Sequence, residues 1–159
     1  MSDGEPRDGA KVEFAPPLVP VIALGVGLIL QHLVWTLAVP LVGFTQYAAG
    51  GLLLVAGLGL MMGAFGQFQR TGQDPKPWLS TPEVIAVGVY KWTRNPMYLS
   101  MGLLQAGVGV LISNGWIVVL VAATWAAIYK IAIQHEEAYL EQKFGTSYLA
   151  YKESVRRWL

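Results

Sequence analysis

The chain has no cysteine and only two histidines among its 159 residues. Disulfides, thiolate metal sites and cysteine nucleophiles are therefore excluded, and two imidazoles alone do not make a zinc-ligand set. Charge is scarce as well. Charged residues make up 13% of the chain, against about 25% in soluble domains. The net charge is +1, and no basic run is interleaved with aromatics, so nothing points to nucleic acid. A signal peptide is not expected. The first residues are not net basic, and the apolar stretch after them is long and lacks a small-residue cleavage site. What is abundant is apolar surface: 54% hydrophobic residues and a mean hydropathy of +0.46. Six tryptophans and seven tyrosines suit a protein with two membrane interfaces. These features predict an all-α integral membrane protein.

Residues 1–15 are polar, rich in Asp, Glu and Gly, and read as a disordered lead-in to a single domain over 16–159. Apolar stretches at 17–39 and 47–68 are each long enough to cross a bilayer as a helix. A third runs from 97 to 133, too long for one span, with the turn signal "SNG" at 113–115 near its middle. That pattern predicts a hairpin of two spans, 97–113 and 116–133, followed by a tail at 134–159. The connections at 40–46 and 113–115 hold no Lys or Arg. Every basic residue falls on the other side: Arg7 and Lys11, then Arg70, Lys76, Lys91 and Arg94, then Lys130, Lys143, Lys152, Arg156 and Arg157. Four spans with both termini cytoplasmic is the topology in which all three clusters agree. The tail carries apolar or aromatic residues at 140, 144, 148, 151 and 155, a helical stripe, with Gly145 as a break between two helices.

Glycines at 57, 59 and 63 and at 102, 107 and 109 suit close packing of neighbouring helices. Gln31, His32 and Gln105 lie inside predicted spans. They either bond across helices or line a substrate pocket.

Two segments hold the chemistry. In "YKWTRNPMYLS", residues 90–100, Pro96 disfavours helical geometry at Asn95 and suits the first position of a helix. The third span is therefore expected to begin here with Asn95 as its N-cap. The free N–H groups of that helix end, beside the Arg94 cation, suit an anion at the membrane edge. An ordinary cap beside a positive-inside anchor is the plainer reading. In "HEEAYLEQKFGTSYLAY", residues 135–151, Glu136 and Glu137 are adjacent and so point about 100° apart on a helix. They would serve two different ligand groups, such as an ammonium and ribose hydroxyls, or form a solvated pair. His135 beside them is a bystander or a base.

Together, "VGVYKWTRNPMYLS" and, about 35 residues later, "EEAYLEQKFGTSYLAY" resemble the C-terminal half of the isoprenylcysteine carboxyl methyltransferase family, a superfamily that includes phospholipid N-methyltransferases. "RTGQDPKPWLSTPEVI" looks like the loop that precedes this pattern, so the resemblance covers about 70–159. It implies an integral-membrane methyltransferase. Its cofactor would be S-adenosyl-L-methionine, held on the cytosolic side beneath the C-terminal segment. Its partner would be a lipophilic acceptor, a carboxylate or an amine, entering from the bilayer. Position by position, it implies cofactor contacts from Gly88, Tyr90, Arg94, Asn95, Pro96, Tyr98, Glu136, Glu137 and Tyr148, with catalysis resting on Arg94, Glu136 and Glu137. Phe144, Gly145, Tyr148 and Tyr151 would shape the capping segment. Val89, Lys91, Asn95 and Ser100 depart from the residues common in the family. Two other readings stand beside this one: an NADPH-dependent enzyme like the sterol reductases, and a small non-enzymatic membrane scaffold.

Overall fold

The computed structural model describes residues 9–12 and 14–159. Most of the polar lead-in, Arg7 included, lies outside the described residues. Gly9 to Val12 belong to that lead-in yet are packed: Ala10 and Val12 are buried with Tyr98, Met101, Ile128, Ala132 and Ile133. The Ala10 N–H donates to the Pro77 carbonyl at 2.9 Å. Two small apolar side chains with a backbone partner suffice to tie this piece down.

The described residues are helical, with no strand. They form α1 (Leu18–Leu33), α2 (Gly43–Thr71), a 3-10 turn (Gly88–Lys91), α3 (Pro96–Leu111), α4 (Gly115–Ile128), a π-helical turn (Tyr129–Ile133), α5 (Gln134–Phe144) and α6 (Thr146–Ser154). The run from α4 through the π turn to α5 is one rod, Gly115–Phe144. That rod and α2 are long and apolar enough to cross a membrane; α1 and α3 are apolar but shorter.

The stretch expected as a helix over 17–39 stops at Leu33. Beyond it the backbone finds partners that a helix would not offer. Gln31 Oε1 accepts the Leu37 N–H, Ser113 Oγ accepts the Val39 N–H, and the Leu37 and Trp35 carbonyls accept from Gly115 N–H and Trp116 Nε1. The turn at 113–115 forms as expected. Asn114 caps α4 by accepting the Ile117 N–H and donates to the Gly27 carbonyl on α1.

The helices pack α2 on α3, α3 on α4, and α4 on α1. Small residues set the first contact. A Cβ on Gly57 would meet Leu104, and one on Gly107 would meet Leu54 and the Gly50 carbonyl. Gly63, Gly102 and Gly109 also sit at close approaches, whereas Gly59 faces open space and packs on nothing. Gln105 bonds within the bundle, donating to the Ile117 carbonyl and accepting from Thr124. His32 is exposed. Neither glutamine nor His32 lines the cavity at the basic end of the bundle.

Candidate functional site

At the basic end of the bundle, α2 finishes, α3 starts and the rod passes into α5. The 72–87 connection spans the gap, its prolines keeping the first part out of helix. These elements enclose a cavity of about 430 Å³, within the range of small-molecule sites. Phe65, Phe68, Met97, Met101 and Leu140 give it apolar walls.

The polar lining comes from both sequence segments. Tyr90, Arg94, Asn95, Pro96 and Tyr98 line it from one side, and Glu136, Glu137, Tyr148 and Tyr151 from the other. Glu136 and Glu137 diverge as helix geometry requires. Glu136 accepts the Tyr98 hydroxyl. Glu137 is held by Arg157, whose Nε and Nη2 each donate at 2.9 Å, with Arg94 Nη1 at 3.2 Å and Lys152 at 3.9 Å. Both Glu137 oxygens are thus committed to protein cations, which makes this carboxylate an anchor rather than a free ligand group. Burial pushes Glu137 up, but the Arg157 hydrogen bond and the Arg94 and Lys152 charges outweigh it and hold the carboxyl below its usual value. Glu136 goes the other way. Burial raises it to about 7, the Tyr98 bond pulls against that, and the Glu137 charge adds to it. Burial, then the Glu137 charge, push the Tyr148 phenol up to about 12, so it stays a donor.

Asn95 starts α3, but its side chain makes no cap bond. Its Nδ2 donates instead to the Arg157 carbonyl, which also accepts from Thr93 Oγ1, while the Arg94 N–H donates to the Arg156 carbonyl. The C-terminal strap is thereby tied across the start of α3. Gly88 does not line the cavity. Its φ of +60°, a conformation open to glycine, begins the turn that delivers Tyr90. That residue's carbonyl accepts the Tyr151 hydroxyl at 2.7 Å. The helix break falls at Gly145 as expected. Phe144 and Gly145 lie off the cavity, and His135 is exposed away from it.

Three features carry no signal in the sequence. The π turn just ahead of Glu136 inserts an extra residue, which re-aims both glutamates. Arg157, three residues from the end, closes the charge cluster. Gln73, in a polar-looking loop, is only 8% exposed and lines the cavity.

Arg94 and Gln73 share a second property. Among the described residues, the buried side-chain nitrogens and oxygens without a hydrogen-bond partner are Arg94 Nε and Nη1 and the Gln73 amide Oε1 and Nε2. Arg94 Nη1 sits near Glu137 but is not aligned to donate to it. A buried unpaired polar group costs about 1–3 kcal/mol, and both residues that carry these atoms line the cavity.

Fold and site define a class: an all-helical bundle with two helices able to cross a membrane and a largely apolar, polar-tipped small-molecule cavity at one end. The family model of phospholipid methyltransferases matches residues 45–147, and the chain belongs to that family. The rat protein-S-isoprenylcysteine O-methyltransferase is 31% identical over 112 residues, covering 68% of this chain and 39% of that protein. The Arabidopsis thaliana protein-S-isoprenylcysteine O-methyltransferase A is 33% identical over 72 residues, 45% of this chain and 36% of that protein. An uncharacterized protein of Haemophilus influenzae is 40% identical over 65 residues, 40% of this chain and all of the relative. The chain thus spans about two fifths of the length of the rat methyltransferase.

Proposed function

We propose that this chain is an integral-membrane methyltransferase that carries a methyl group from S-adenosyl-L-methionine to a lipophilic acceptor, with four spans and with both termini and the site on the cytoplasmic face. The observation that carries the reading is the buried Arg94 side chain, 8% exposed, whose Nε and Nη1 make no hydrogen bond and which lines the same cavity as Glu136. A cation and an anion around one cavity fit the carboxylate and ammonium of an amino-acid moiety, and the apolar walls fit the rest of such a ligand. Membership of a methyltransferase family supports the reading. The placement of every Lys and Arg supports the topology. The short helix α1 is continued in this scheme by the apolar 34–39 segment.

The bound cofactor supplies an electrophilic methyl on a sulfonium. The protein's share is alignment and exclusion of water. Arg94 would hold the carboxylate, Glu137 keeps Arg94 in place by their ion pair, and Glu136 would accept the ammonium. Tyr148 supplies a neutral donor beside Arg94. Phe65, Met97, Met101 and Leu140 keep the reacting centre dry. A carboxylate acceptor needs no base, whereas an amine acceptor must lose a proton to one. The names of the family and of the rat relative support a phospholipid or a prenylcysteine carboxylate as the acceptor. Incubating the purified protein with methyl-labelled cofactor and membrane lipid extract tests this. Label in an organic-soluble product, lost with Arg94→Ala, is expected. No transfer to lipid or to prenylcysteine compounds would refute it.

A further inference from the structure

We propose that Gln73 recognises the base of the cofactor, its carboxamide meeting the donor–acceptor edge of adenine. The inference rests on the cofactor reading above and extends it to an end of the ligand that the charge cluster leaves unaddressed. Gln73 is buried, lines the cavity, and has neither amide atom paired. Because both atoms are free, either orientation of the amide meets a ligand equally well. The residue is fixed from behind: its N–H donates to the Phe68 carbonyl at 3.0 Å, and Gly72 before it caps α2 with φ +66°.

Three other polar side chains of this wall are already engaged. Asp74 and Lys76 pair with each other at 3.4 Å, and the Tyr139 hydroxyl accepts the Thr81 N–H. Gln73 is the buried neutral group left over. A carboxamide offers one face with a donor and an acceptor side by side. That is the complement of the adenine amino group and an adjacent ring nitrogen. Phe68 shares this wall, its ring held edge-on against Tyr90 at 6.1 Å, and Phe65 lies beside it. A planar heterocycle next to aromatic rings is a favourable neighbour. A charged ligand group is not, because the amide carries no charge to offset.

The test uses the whole chain in detergent micelles and two probes: S-adenosylhomocysteine and the analogue whose base lacks the 6-amino group. Both are titrated calorimetrically into wild type and Gln73→Met. Wild type is expected to prefer the amino-bearing probe by about tenfold. Gln73→Met is expected to bind that probe about tenfold more weakly and to show no preference, with its melting temperature unchanged or raised. If the methionine variant does not fold, Gln73→Asn, which withdraws the amide by one methylene, is expected to show the same loss. Equal affinity of wild type and variant for S-adenosylhomocysteine, or a preference that survives the substitution, overturns the role of Gln73 and leaves the cofactor site standing. Absence of any S-adenosylhomocysteine binding to wild type overturns the cofactor reading, and this inference with it.

Discussion

The two ends of the helix bundle treat buried polar groups in opposite ways. At the end built around the 113–115 turn, the buried and half-buried polar side chains among the described residues are closed on the protein itself. Asn114 bonds α4 and α1, Gln31 takes up the unwound chain after α1, and Gln46 donates to the Val110 and Leu111 carbonyls at the end of α3. At the basic end, Arg94 and Gln73 leave buried donors and acceptors without a protein partner, and both residues line a cavity. The first end spends its polarity on holding helices together. The second keeps polarity in reserve, at a cost in stability, which is the arrangement expected where a ligand completes the structure.

The largest effect that sharpens this contrast comes from exchanging damage between the ends. With S-adenosylhomocysteine at a hundredfold excess over its Kd, wild type is expected to melt about 5–10 °C higher. Arg94→Ala is expected to lose that shift. Asn114→Ala removes a cap and an interhelical bond, so its baseline should fall by about 2 kcal/mol while its ligand-induced shift is retained. If Asn114→Ala abolished the shift and Arg94→Ala kept it, the two ends would not differ as described.

A smaller effect concerns pH. Glu136 is raised to about 7 and must be ionised to receive an ammonium. Affinity should therefore fall by up to about tenfold per unit as pH drops below 7. The groups that face it are the Tyr98 hydroxyl and the Glu137 charge. Glu136→Gln is expected to flatten the profile in a binding titration from pH 5.5 to 8. A wild-type profile that is flat, or that rises toward acid, would remove Glu136 from the ligand.

Glu137 behaves with the opposite sign. Its folded value is depressed, so its contribution is present above its ordinary value and is lost as pH falls through the lower folded one. Arg157→Ala should cost about 1.5–3 kcal/mol and release the C-terminal strap. Trp158, packed 5.7 Å from Trp125, reports this through its fluorescence. Unchanged emission and stability would mean that the strap is held by something else.

Smaller still is a test of helix packing. A Cβ at Gly102 would fall 2.3 Å from the Trp125 ring, so Gly102→Ala should destabilise by about 1–3 kcal/mol. Gly59 has nothing near it, and Gly59→Ala should be neutral or mildly stabilising, read by the same melts.

The parts of this architecture that sequence made legible are those with local markers. Pro96 opens α3, the 113–115 turn forms, Gly145 divides α5 from α6, and the two polar segments meet at one cavity. What stayed hidden depends on partners distant in the chain. Nothing between Leu33 and Pro40 breaks a helix, so the early end of α1 follows from bonds offered by Ser113, Gly115 and Trp116. The π turn at Tyr129–Ile133 has no glycine or proline to announce it. Glu137 reads as a free carboxylate until Arg157 is brought to it, and Gln73 reads as a solvated loop residue until the surrounding apolar walls are in place. Gly59 shares the spacing of its packed neighbours but lies on the other face of α2.

The most direct test is calorimetric titration of S-adenosylhomocysteine into the purified wild-type protein, alongside Arg94→Ala and Glu136→Ala. One ligand bound per chain, with heat abolished in the arginine variant and strongly reduced in the glutamate variant while both stay folded, is the expected result. No saturable heat in wild type, or the same affinity in all three proteins, would contradict the claim that this cavity is where the methyl donor binds.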